Sequence, residues 1–344
     1  MGLIARRAAI CGVLGPTVAA LTLAGCDRRS ERAATATVYC SVDEEFARSV
    51  LDAYKIRTGT EVAAVFDSEA GKTTGLVNRI IEEARSGRPR ADVFWSSEIF
   101  GTIVLARKGL LQPYDSPTGA DIPPRFRDRE HRWTAVAARA RVLAFDPART
   151  SPDDVPTSWE ALTEEKYAGR LALANPLFGT TRGHVAAMFA LWGEERARAF
   201  LTKLREGGVL IVDGNSTAVR AVIAGRADFA ATDADDVFLA QKGGASLDLA
   251  YPDMGGGGTL MIPCSIAIVT GAPHVDAARR LADFLVSAEA ERLLARSDSR
   301  NVPVRDGVRG ESGLVWPPET KVDYEGLADA METAVAAVRE ILIR

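Results

Sequence analysis

Six short polar loops hold the residues with chemistry to offer, and each follows a run of β-forming residues. Ser41-Val42-Asp43-Glu44 follows Cys40, and Asp67-Ser68-Glu69-Ala70-Gly71-Lys72-Thr73-Thr74 follows Phe66. Ser96-Ser97-Glu98 follows Trp95, and Asn175-Pro176-Leu177-Phe178-Gly179-Thr180-Thr181 follows Ala174. Asp213-Gly214-Asn215-Ser216-Thr217 follows Val212, and Asp233-Ala234-Asp235-Asp236 follows Thr232. A helix starting after such a loop presents free N–H groups and the positive end of its dipole, which suits an anion. Glu69, Glu98, Asp233, Asp235 and Asp236 suit a hard cation or an amine. One Ser, Thr, Asp or Asn before a helix is ordinarily a cap. Six such loops on one side of a parallel sheet specify a polar binding site. Carboxylates gathered in a partly dry cleft repel one another, and a bound cation or ammonium group relieves that repulsion.

The same residues exclude several chemistries. Gly71-Lys72-Thr73 imitates a phosphate loop, but that motif needs a glycine where Phe66 stands. His131, His184 and His274 lack zinc-site spacing. No Gly-x-Ser-x-Gly elbow is present. The sequence therefore predicts a binding protein, with no catalytic residue and no covalent cofactor.

Strand-like and helix-like segments alternate along the chain. Strands are predicted at 37–40, 61–66, 92–95, 141–145, 170–174, 209–212, 227–232, 247–251 and 260–269. Helices are predicted at 44–58, 72–85, 97–108 with Ser97 as cap, 184–192, 194–205, 275–295 and 324–342. This order implies an α/β fold with parallel sheets and crossover helices. The break points divide it into a first lobe of 37–139 plus 260–344 and a second of 140–259. Two crossing segments near 140 and 260 make a hinged cleft, with ligands at the carboxyl ends of the strands.

The first residues carry an export signal. Arg6 and Arg7 precede an apolar stretch broken by Gly12, Gly15 and Pro16, which is too interrupted for a good membrane span. Residues 1–25 read as a signal peptide and 26–36 as a polar tether. The formal charge is −4, and losing Arg6 and Arg7 makes it −6. No basic stripe is present, so nucleic acid is not an expected partner. Cys40 and Cys264 would be permitted a bridge in an oxidising compartment, or would stay as two buried thiols.

Leu23-Ala24-Gly25-Cys26 resembles a bacterial lipobox, which implies lipidation of Cys26 and a membrane hold through that anchor alone. The order of motifs resembles the ferric-iron class of periplasmic solute-binding proteins, over nearly the whole mature chain. Val38-Tyr39-Cys40-Ser41, Ala91-Asp92-Val93-Phe94-Trp95-Ser96-Ser97-Glu98, Pro176-Leu177-Phe178-Gly179-Thr180-Thr181 and Gly258-Thr259-Leu260-Met261-Ile262-Pro263 carry it. The resemblance implies a monomeric two-lobe (type II-like) periplasmic binding fold that serves the permease and ATPase of an ABC importer. It implies iron(III), or another hard cation, as ligand with a companion anion. Glu98 matches the family's metal carboxylate, and Asp235-Asp236 occupies the loop that holds a tyrosine pair in ferric members, so Glu98, Asp235 and Asp236 are the expected metal ligands. Gly179, Thr180, Thr181, Asn215 and Ser216 match the anion site, with Ser41, Ser68, Glu69, Thr73 and Asp233 completing the expected set. Neighbouring branches take phosphonates or sugar phosphates, and a receptor that senses without transport would look the same.

The lipobox reading predicts that Cys26→Ala releases the protein from membranes into the soluble fraction. Fractionation that finds the variant still membrane-bound would overturn it.

Overall fold

The computed structural model describes residues 35–67, 71 and 73–343. The signal stretch, Cys26, most of the tether, Ser68, Glu69 and Lys72 lie outside the described residues. In chain order the elements begin with β1 (Thr37–Cys40), α1 (Glu44–Thr58), β2 (Ala63–Phe66), α2 (Thr74–Arg85), β3 (Val93–Ser96), α3 (Ile99–Arg107) and β4 (Leu111–Gln112). Next come β5 (Thr134–Phe145), β6 (Leu171–Ala174), α4 (Gly179–Trp192), α5 (Glu194–Glu206), β7 (Leu210–Val212), α6 (Asn215–Ile223), β8 (Phe229–Asp233), α7 (Ala234–Lys242) and β9 (Asp248–Ala250). The chain closes with β10 (Met261–Val269), α8 (Val275–Leu285), α9 (Ala288–Arg296), α10 (Asp306–Ser312), α11 (Tyr324–Asp329) and α12 (Met331–Ile341).

The strands form one path, β2-β1-β3-β10-β5-β8-β6-β7, with β4 on β10 and β9 on β5. Within each half the expected parallel order holds: β1 pairs β2 and β3, and β6 pairs β7 and β8. The two long strands in the middle depart from it. β10 runs antiparallel to β3 and β5, and β5 runs antiparallel to β8. β5 changes partner along its length: Thr134 to Ala140 face β10, and Arg141 to Phe145 face β8. One strand thus belongs to both halves. Its first residues, Thr134-Ala135-Val136-Ala137-Ala138, are mostly alanine and carry little β propensity of their own. They are extended because neighbours saturate their backbone groups, which is why the sequence pattern shows the strand only from Arg141.

Helix boundaries shift from expectation for local reasons. Ser97 does not cap α3. Glu98 does, with its carboxylate accepting the N–H of Phe100 at 2.6 Å and of Gly101 at 3.0 Å. The continuous apolar stripe of 275–295 is two helices, because Ser287 caps a new start through Ala290 N. The closing stretch breaks likewise at Ala330 into α11 and α12. α11 packs on α3 and α4, and α12 on α4 and α5. Ionic contacts follow the same course: Arg107 Nη1 reaches Asp329 at 2.6 Å, and Arg198 Nη2 reaches Glu340 at 2.5 Å. The last helix therefore lies on elements of the 140–259 segment.

Cys40 and Cys264 are both buried and not joined to each other, so the bridge permitted by the sequence is not formed. Cys264 Sγ lies 3.6 Å from Arg139 Nη2, the carbonyl of Ser97 and Asn301 Oδ1. We expect both cysteines to be alkylated in denaturant without reductant. An intact mass showing them joined would contradict this packing.

Candidate functional site

The site is built where β5 meets β8. Residues two apart on a strand share a face, so Arg139 and Arg141 project together. Arg141 stands directly opposite Asp233 in the register. Its Nη1 donates to Asp233 Oδ1 at 2.8 Å and to Thr180 Oγ1 at 3.2 Å. Thr180 Oγ1 donates to Asp233 Oδ2 at 2.6 Å, and Asn215 Nδ2 donates to the same oxygen at 2.9 Å. Thr181 Oγ1 reaches Asn215 Oδ1 at 3.3 Å. This network joins β5, β8 and the starts of α4 and α6. Arg141 and Asp233 are 0 % and 1 % exposed, so breaking the pair would strand a charge with little water to receive it.

Arg139 pairs with Asp235 at 2.7 Å and lies 4.0 Å from Asp233. Burial works against its charge, but Asp235, Cys264, Asp233 and Asp43 hold it firmly protonated. Asp236 accepts from Thr232 Oγ1 at 3.0 Å. One oxygen from each of Asp233, Asp235 and Asp236 falls within 4.8 Å of the others. The repulsion expected among these acids is thus already relieved by two buried guanidiniums. The signal for them was present: two charged residues stand in a strand that is otherwise apolar from Ala135 to Phe145.

Beside this cluster opens a cleft of about 430 Å³, solvent at its mouth included. Of the expected residues, Gly179, Thr180, Thr181, Asn215, Asp233 and Asp236 line it. Ser97, Arg139, Asn175, Phe178 and Asp213 line it as well, and none of these was in the expected set. Gly179 opens α4 at φ +53°, a conformation that suits glycine, and the first turn of α4, whose N–H groups have no partner within the helix, lines the cleft.

The expected residues of the first half are placed differently. Ser41, Thr73 and Ser97 form a buried hydroxyl triangle with edges of 3.1 to 3.3 Å. Thr73 has φ +63°, a strained backbone for a β-branched residue. Glu98 is buried, and both of its oxygens are engaged by its own helix. Burial lifts its carboxyl to about 7, against the pull of Arg182, the N–H groups of Gly101 and Phe100, and Arg139. Asp235 sits behind Arg139, and Ser216 is outside the cleft lining. Ser68 and Glu69 fall outside the described residues.

A carboxyl held above its ordinary value of 4.5 favours the fold most at low pH, where folded and unfolded chains are both protonated. That contribution is lost as pH rises through about 7. Each such group gives a slope of up to about 1.4 kcal/mol per pH unit in between. Glu291, lifted by burial to about 7 against Arg305, adds to it. Glu98→Gln should flatten part of the fall in stability between roughly pH 4.5 and 7, read by denaturant unfolding across that range. An unchanged slope would mean Glu98 is solvated.

Comparison with known proteins fits this arrangement. The family model described as bacterial extracellular solute-binding protein matches residues 89–319. The chain is 31% identical over 191 residues to the Fe(3+)-binding periplasmic protein of Serratia marcescens, covering 56% of this chain and 54% of that protein's length. It is 29% identical over 267 residues to the major ferric iron-binding protein of Neisseria meningitidis, covering 75% of this chain and 77% of that one. The structure of iron-bound HitA from Pseudomonas aeruginosa superposes with a TM-score of 0.77 at 26% identity, covering 90% of this chain and 99% of that one. A two-lobe α/β architecture, a polar cleft at the strand ends and a model match over most of the chain lead to one statement: this chain belongs to the bacterial extracellular solute-binding protein family.

Proposed function

We propose that this chain is the solute-binding component of an ABC importer, capturing iron(III) or another hard cation with a companion anion and delivering it to a permease and ATPase. It acts as a binding protein and not as an enzyme. It works as a monomer outside the cytoplasm, held to a membrane by a lipid on Cys26. Among the described residues no helix is long and apolar enough to cross a membrane. One lobe comprises 37–139 with the chain from 260 up to α11. The other comprises 140–259, joined by α12, which packs on α4 and α5.

The observation that carries the reading is the triad of Asp233, Asp235 and Asp236, whose oxygens lie within 4.8 Å of one another beside the Gly179–Thr181 helix start. Carboxylate oxygens are hard donors suited to a hard cation. Three carboxylates against Arg139 and Arg141 leave a formal charge of −1, which a cation offsets. A cation drawing on Asp235 would free Arg139 to meet an anion held by the N–H groups of α4. The relatives named for ferric iron support iron(III) as the metal.

A second reading has its own support. Arg139 already satisfies Asp235 and lines the cleft, so an organic anion bearing a positive group, such as an aminoalkylphosphonate, would bind without displacing it. A sugar phosphate would use the same anion subsite. Titration calorimetry with a ferric salt plus citrate or phosphate, and separately with 2-aminoethylphosphonate, separates the two. We expect stoichiometric iron retention, weakened by about 1–3 kcal/mol in Asp235→Asn and Asp236→Asn. Binding of the phosphonate with no iron retained would replace the first reading by the second.

A further inference from the structure

Helix α4 contributes more than the anion subsite. Two residues on its first turns face the other lobe and touch no part of the ligand cleft. Gly183 lies against the Phe100 ring, and a Cβ added there would overlap the Cδ2 and Cε2 atoms. Phe100 is buried in the first turn of α3. That turn is fixed in its own lobe: Glu98 caps it, and a Cβ at Gly101 would crowd Thr73 and Val77 of the α2 region. Arg182, the neighbour of Gly183, extends Nη1 to Thr74 Oγ1 at 3.4 Å on α2, while its Nε lies 2.9 Å from Met331 Sδ on α12. Its charge and that of Glu98 act on each other across the same seam.

We propose that Arg182 and Gly183 are positioning residues for ligand capture: they form the seat on which the first turn of α3 closes, so they set the free energy of lobe closure without touching ligand. The lack of a side chain at 183 lets the aromatic ring approach the α4 backbone. Arg182 supplies a cation to a seam whose other side carries a buried carboxylate. Apparent affinity scales with the fraction of molecules able to close, so these residues tune affinity from outside the site. The cleft-lining residues beside Arg182, by contrast, act on the ligand itself.

The inference rests on the division into lobes proposed above and not on the ligand's identity, so the test uses ligand-free protein. Small-angle scattering and hydrogen exchange compare wild type, Gly183→Ala, Arg182→Gln and the double variant Gly183→Ala with Phe100→Ala. A methyl at 183 should enlarge the radius of gyration and speed amide exchange over residues 99–103 by about tenfold, a local opening. The melting temperature should stay near wild type, because each lobe keeps its own core. Removing the Phe100 ring makes room for the methyl, so the double variant should return to the compact radius. Arg182→Gln should shift the radius in the same direction as Gly183→Ala, and by less. Unchanged radius and exchange in both single variants would overturn the proposal while leaving the lobes intact. A Gly183→Ala protein that melts early with no change in radius would overturn it differently, by showing that α3 and α4 belong to one rigid body.

Discussion

The buried pairing of Arg141 with Asp233 is the interaction on which the rest of the site depends. It joins β5, the strand shared by both halves, to β8, whose last residue is Asp233 and whose end starts α7. Thr180 and Asn215 complete the shell of the same carboxylate, so the starts of α4 and α6 are tied to the same point. A charge pair this deep is costly unless every lone pair and proton is engaged. Here the cost is offset in part by Thr180, Thr181 and Asn215, whose positions are fixed in return, while Arg141 Nε is left without a hydrogen-bond partner. The helix starts that line the cleft are thus held in register by a group that is itself outside direct contact with solvent.

That arrangement changes the meaning of the acidic loop. Without Arg139 and Arg141, Asp233, Asp235 and Asp236 would form a bare cluster demanding a cation. With them, the cluster is nearly balanced, and on the function proposed above capture would be an exchange of partners. Asp235 and Arg139 are each other's closest charge, and both stand beside the cleft wall. A cargo supplying a cation to one and an anion to the other would replace the internal pair with two external ones.

The two lobes contribute unequally. The second presents Arg141, the acids and the glycine-opened helix, while Arg139 stands at the crossing, on the part of β5 that pairs with β10. The first presents hydroxyls already engaged with one another, a strained Thr73, and a Glu98 turned inward to its own helix. Glu98 is better described as a support for the α3 start than as an open ligand. Since α3 meets α4 through Phe100 and Gly183, that support reaches the seam between lobes. On the roles proposed above, capture and closure would share α4, one through Gly179–Thr181 and the other through Arg182 and Gly183.

The sequence by itself determined what local patterns and short loops can specify. Alternating β and helical periods gave the α/β class, and the polar loops at strand ends gave the side of the cleft and the acids Asp233 and Asp236, while the family resemblance picked out Gly179, Thr180, Thr181 and Asn215 within those loops. Caps and turns are local, so α1 is legible to the residue at Glu44 and Thr58. Only the tertiary structure decided the direction of β5 and β10, because strand pairing is set by partners far away in the chain. It also decided which partner each acid takes. Glu98 matched a ligand position by order of motifs, yet its side chain turned to cap α3, and Asp235 found a guanidinium from a strand about a hundred residues earlier. Side-chain partnership of that kind is a matter of distance and burial in space, which spacing along a chain does not encode.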